Sequence, residues 1–255
     1  MDFSVDNWWR KRYYTNMTNH YKFYEVISGS RAYGFANENS DTDYRGIFFP
    51  NRRCFYGLEG FTDPIETKDP DTVFYSFKKF INLALANNPN ILEILFIDEP
   101  NLIIQDSKYI QRIKAFRQDF LSKRIFTTYL GYVKAQMHKI KNEGNCSPKM
   151  NSRRMEDIKK NGYDTKAASH VFRLLFQGIE LAREKTISIP LPKADIFVCK
   201  LIRNGKVSFE DFVKDSNDFI EIFKELETKS GLPDKPNFEL INDLVMDIHK
   251  SFYEG

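Results

Sequence analysis

The chain has 255 residues, with 38 Lys and Arg against 35 Asp and Glu, a net charge of +3 and a mean hydropathy of −0.50. Its 23 Phe and 13 Tyr supply enough apolar surface for a packed core, which excludes a predominantly disordered polymer. No run of about 18 uncharged apolar residues occurs, so a hydrophobic helical membrane span is excluded.

Cys54, Cys146 and Cys199 are scattered and lack CxxC spacing. That pattern argues against a disulfide framework and a cysteine zinc site, and for a reducing, cytoplasmic setting. The first residues, Met1 to Asp6, hold no basic stretch followed by an apolar one, so no signal peptide is expected. Residues 1–20, with Trp8-Trp9-Arg10-Lys11-Arg12, read as a lead-in. From Lys22 to Ser28 the aromatic and β-branched run KFYEVIS predicts a strand closed by Gly29. Residues 30–36 have room for about two helical turns, and Asn37-Glu38-Asn39-Ser40 reads as a polar turn. A second strand is expected at Tyr44–Phe49, ended by Pro50, and a third at Thr72–Ser76.

Beyond that the pattern turns helical. Helices are expected over residues 78–86, 91–97, 107–120 and 123–141. Gly144-Asn145-Cys146-Ser147-Pro148 reads as a break, with Lys149, Arg153, Arg154, Lys159 and Lys160 beyond it. Asp164 is placed to cap a helix running from Thr165 to Lys185, and Ser208 with Asp211 to cap another. A last helix covers about residues 238–252. The expected fold class is α+β, a small mixed β-sheet flanked by helices and followed by an α-helical half. The expected division is a lead-in at 1–20, an α/β core at 21–105 and a helical domain at 106–255.

The chemistry concentrates in Gly29-Ser30-Arg31 and Asp41-Thr42-Asp43-Tyr44-Arg45. If residues 41–49 are extended, Asp41, Asp43 and Arg45 share a face because side chains alternate with period two. Two neighbouring carboxylates repel unless a cation lies between them, and Mg²⁺ or Mn²⁺ suits such oxygen ligands with phosphate and water completing the shell. Arg45 is placed to meet a phosphate or to balance the carboxylates. Gly29 allows a sharp turn at the strand end, and Ser30 with the following amides offers hydrogen bonds to phosphate oxygens.

Gly29-Ser30, ten residues, then Asp41-Thr42-Asp43 resembles the signature of the DNA polymerase beta-like nucleotidyltransferase superfamily. The string from Gly29 to Pro50, with DTVFYSFKKFINLALANNPNILEILF from Asp71 and GYDTKAASHVFRLL from Gly162, is similar to the predicted nucleotidyltransferase family associated with RNA repair and RNA ligase genes, here termed RlaP-like. The resemblance implies a minimal nucleotidyltransferase fold, two divalent metals and an NTP, ATP among them, as substrate. It implies Asp41, Asp43 and a third carboxylate as metal ligands and catalytic residues. Asp71 matches the third position, with Glu66 and Asp69 as alternatives; in the bland reading Asp71 only caps a strand edge. Leaving pyrophosphate would bind at Gly29-Ser30, and Arg31 belongs to the same nucleotide-binding segment.

A second polar cluster follows from helical spacing. Lys166, His170, Arg173 and Gln177 fall on one stripe, which either lines a cleft for phosphates or is an ordinary solvated face. Glu93, inside the apolar run ILEILF, needs a local cation or helix amides as partner. The basic residues from Lys149 to Lys160 read more readily as a solvated face than as an RNA track. The leading expectation is transfer of a nucleoside monophosphate from an NTP to a hydroxyl, with an RNA or tRNA end as acceptor and no membrane partner. The alternatives are modification of a protein hydroxyl, as in toxin–antitoxin nucleotidyltransferases, and a nucleotide- or RNA-binding module without activity.

Overall fold

A computed structural model describes residues 19–36, 40–141 and 152–255. The lead-in through residue 18, residues 37–39 of the polar turn, the break at 144–148 and Lys149 lie outside the described residues, as do the side chains of Arg153 and Arg154.

Five strands make one mixed sheet: β1 (Tyr21–Ser28), β2 (Asp43–Phe49), β3 (Ile65–Lys68), β4 (Asp71–Ser76) and β5 (Ile103–Gln105). Their order across the sheet is β3-β4-β2-β1-β5. The three strands expected from sequence are the central ones. Burial on both faces explains their legibility: Phe23, Tyr24, Val26, Ile47, Phe48 and Phe49 are wholly covered. The two edge strands are short, and β3 pairs only with β4 through a tight turn, so neither carries an alternating signature.

β1 and β2 are antiparallel, whereas β2 and β4 run parallel with Tyr44 beside Thr72 and Arg45 beside Val73. The C-terminal end of β1 and the N-terminal ends of β2 and β4 therefore meet at one edge of the sheet. Between β1 and β2 lies the five-residue α1 (Gly29–Tyr33), shorter than expected because Gly34 takes a left-handed conformation and ends it. A short α2 (Arg52–Tyr56) follows β2, opened by Asn51, whose side chain accepts from the Cys54 amide.

Helices α3 (Phe77–Leu85) and α4 (Pro89–Phe96) are joined by Ala86, Asn87 and Asn88. Pro89 begins α4 rather than merely stopping α3, since a proline is suited to the first helical position and Asn88 caps it. The helix expected over 107–120 is divided. α5 (Lys108–Lys114) is followed by a separate 3-10 turn at Arg117–Phe120. Tertiary bonds take its carbonyls: Asn237 N donates to Asp119 O at 2.9 Å and Asn87 Nδ2 to Phe120 O at 2.6 Å.

The second half comprises α6 (Arg124–Lys141), α7 (Ser152–Asn161), α8 (Thr165–Glu184), α9 (Lys193–Arg203), α10 (Phe209–Glu225) and α11 (Phe238–Tyr253). The caps expected at Asp164 and Ser208 are formed, accepting from Ala167 N and Asp211 N. The fold is α+β. A single buried apolar cluster runs from Phe23 of β1 to Tyr253 of α11, so both halves share one core. The last helix closes the sheet: Phe252 stacks on Phe49 at 4.1 Å, Tyr253 stacks on Phe55 at 4.0 Å, and the Tyr253 hydroxyl donates to Pro50 O at 2.6 Å.

Candidate functional site

The parallel register is what assembles the site. With Tyr44 beside Thr72, one step back sets Asp43 level with Asp71 across adjacent strands, and side chains level with one another share a face. Antiparallel pairing sets Ser28 of β1 opposite Asp43 on its other side. The three strand ends thus bring Ser28, Asp43 and Asp71 into one row.

Asp43 is half-buried, and its carboxyl lies close enough to that of Asp71 for the two to interact. Its pKa is raised, chiefly by burial; Arg45 opposes this, and the neighbouring carboxyl of Asp71 adds to it. Arg45 Nη1 pairs with Asp71 Oδ1 at 3.2 Å and also donates to the carbonyls of Tyr44 at 2.8 Å and Asp71 at 3.4 Å. Arg45 therefore balances the carboxylates. Lys166, exposed at the start of α8, acts favourably on the charged form of Asp43, which brings the helical half to the same edge.

Gly29 explains how close Asp43 comes to the turn. Its φ is +67°, and a Cβ there would lie 1.9 Å from Asp43 Oδ2. Only glycine leaves the carboxylate this place and takes this backbone without strain. Arg31, exposed, reaches back to the Ser40 carbonyl at 2.7 Å and ties α1 to the approach to β2.

The sequence-derived residues do not all converge. Asp41 is exposed and lies two residues before Asp43, outside the strand. Glu66 of β3 pairs in register with Val73 of β4, and Asp69 lies in the turn between the two strands. Of the three candidates for the third carboxylate, Asp71 is the one that contacts Asp43. Among the described residues, no group of three or more His, Cys, Asp or Glu is placed to hold a metal ion. The residues do fit a hard divalent cation in a more modest way. Two carboxyls, Asp43 and Asp71, lie side by side, and Mg²⁺ is commonly held by one or two carboxylates with water and substrate phosphate completing the shell.

The helical stripe divides. Lys166 is exposed and His170 half-buried, but Arg173 is only 5% exposed and Gln177 is fully buried. Arg173, expected on a phosphate-facing stripe, is surrounded by protein partners. Arg173 forms an ion pair with Glu93 of α4, donates from Nη1 to Gln177 Oε1 at 3.0 Å, and lies 4.5 Å over the ring of Tyr33 of α1. The Tyr33 hydroxyl completes the set by donating to Glu93 Oε2 at 2.7 Å. Helical periodicity sets these residues on one stripe, but only packing decides that its C-terminal half turns inward. Tyr33 was the residue that sequence reasoning missed, and it carries no signal beyond its place next to Gly34.

A mixed sheet whose strand ends gather paired carboxylates beside a glycine turn agrees with the fold that the sequence resemblance implies. The chain belongs to the RNA repair pathway DNA polymerase beta family, RlaP, whose pattern matches residues 14–247. It is also similar to the uncharacterized protein YcgL of Bacillus subtilis (strain 168), at 37% identity over 78 residues. That match covers 29% of this chain and 30% of the length of YcgL. No solved structure matches the chain. No helix among the described residues is long and apolar enough to cross a membrane.

Proposed function

We propose that the chain is a metal-dependent nucleotidyltransferase that moves a nucleoside monophosphate from an NTP to a hydroxyl on an RNA end. The observation that carries this reading is the Asp43–Asp71 pair, two carboxyls brought together at the edge where Gly29-Ser30 turns. Asp43 and Asp71 would hold Mg²⁺ or Mn²⁺, with Asp41 able to join from the segment just before β2. Such an ion neutralises charge on the phosphates and lowers the pKa of a bound hydroxyl.

The chain's own groups account for the rest of the reaction. The acceptor oxygen forms a bond to the α-phosphorus, the bond to the β-phosphate oxygen breaks, and pyrophosphate leaves with that electron pair. The acceptor proton passes to Asp71, which sits at the edge of the pair and is the more exposed of the two. Gly29 and Ser30 receive the leaving pyrophosphate, with Arg31 beside them. Arg45 and Lys166 offset negative charge that gathers at the same edge. Catalysis in this reading is positioning and charge neutralisation, as phosphoryl transfer requires.

The test uses radiolabelled NTPs, Mg²⁺ or Mn²⁺, and mixed RNA, with the chain itself assayed for self-labelling in parallel. Label should pass to RNA and be abolished by Asp43→Ala and by Asp71→Ala. Label on the protein alone would replace RNA with a protein acceptor, and transfer that survives both substitutions would overturn the mechanism.

A further inference from the structure

The buried cluster behind the site consists of Tyr33, Glu93, Arg173 and Gln177, drawn from three elements far apart in sequence. Its energetics are unusual for a purely structural contact. Burying an ion pair costs desolvation that its mutual attraction seldom exceeds, and apolar residues of like volume hold helices together at least as well. The set is also incompletely bonded: Arg173 Nε and Gln177 Nε2 have no hydrogen-bond partner among the described residues. What such a pair supplies better than an apolar contact is a fixed register, because each charge accepts one geometry.

The register concerned is that of α1. Tyr33 is its last residue, and Gly29, against which Asp43 rests, is its first. The Tyr33 ring lies against the Arg173 guanidinium while its hydroxyl is fixed by Glu93. Ring and hydroxyl are thus held from two sides by α8 and α4. A five-residue helix makes too few internal hydrogen bonds to hold its own orientation. We propose that Tyr33, Glu93 and Arg173 are positioning residues through which α4 and α8 set α1, and with it the place of the Asp43 carboxylate. This rests on the nucleotidyltransferase reading only for its catalytic consequence, since the tether itself can be measured without turnover.

The experiment compares the full-length chain with Tyr33→Phe, which deletes only the hydroxyl, and with Glu93→Gln, which keeps an acceptor but removes the charge. Amide hydrogen exchange and NTP transfer are measured on each. Exchange at residues 29–35 should rise about tenfold while residues 44–48 of β2 keep wild-type protection, because loss of a tether opens one locale and not the whole chain. kcat should fall at least about tenfold with KM for the NTP within about twofold, since misplacing a reacting group weakens the transition state more than ground-state binding. Arg173→Lys should show the same two changes, as an ammonium lacks the planar fork that lies over the ring and reaches Glu93. Exchange that rises equally across α1 and β2 would make the cluster merely structural, and unchanged kcat or unchanged exchange at α1 would equally overturn the proposal. If the wild-type chain transfers no nucleotide, the functional reading fails by itself, and the exchange measurement still decides the tether.

Discussion

Gly29→Ala removes no chemical group from the site, so its effect isolates the geometry. Two terms arise. Alanine at φ +67° pays the steric cost of the left-handed region, about 1–2 kcal/mol. Its Cβ would also stand 1.9 Å from Asp43 Oδ2, where ordinary contact begins at 3.4 Å, so the carboxylate must retreat by about 1.5 Å. A side-chain end yields cheaply, and the retreat therefore adds little to the stability loss. Its catalytic effect is larger, since a displacement of about 1 Å at a reacting group costs on the order of 100-fold in rate. Urea unfolding should place the variant about 1–2 kcal/mol below wild type, while transfer from labelled NTP falls by about two orders of magnitude. In an Asp43→Ala background the contact is gone, and adding Gly29→Ala should cost only the backbone term with no further loss of activity. Wild-type kcat in Gly29→Ala would refute the argument that the Asp43 carboxylate must occupy that place.

Two further outcomes concern the scaffold. Asp164 is fully buried and its carboxylate accepts from Ala167 N at 2.9 Å at the start of α8, so Asp164→Ala should lose about 1–2 kcal/mol in urea unfolding and Asp164→Asn should recover most of it. His249 of α11 lies among Phe49, Phe55, Phe77 and Tyr253, and burial first, then the charge of Lys78, lowers its pKa from 6.5 to about 4. The folded state resists the proton that the unfolded chain takes up, so this contribution is complete above pH 6.5 and is lost as pH falls from there towards 4. Discounted for its partial exposure, the loss is about 1–2 kcal/mol by pH 4.5. His249→Gln should be less sensitive to acidification than wild type over that interval, and equal losses in both would exclude the assignment.

The sequence foretold the parts of the fold that repeat a local pattern. β1, β2 and β4 announce themselves by aromatic and β-branched runs between Gly and Pro, and α8 and α10 by their capping residues. What joins those parts was not legible. Asp43 and Asp71 are 28 positions apart, and only the parallel register of β2 and β4 sets them side by side. Glu93 could be read as needing a cation, but its partner, Arg173, is 80 residues further on and lay on a stripe that looked equally suited to solvent or phosphate. Direction in space is a property of packing. Helical spacing fixes which residues share a face and leaves open what that face meets.

The C-terminal helix carries a consequence for how the molecule is made. Phe49 closes β2 and ends up stacked on Phe252, and the carbonyl of Pro50 is held by Tyr253, 203 residues later. Without α11, Phe49 keeps Phe23, Phe77 and Tyr109 but loses the face that Phe252 covers. A chain interrupted before α11 would leave Phe49 without the ring of Phe252 and expose apolar surface that favours aggregation.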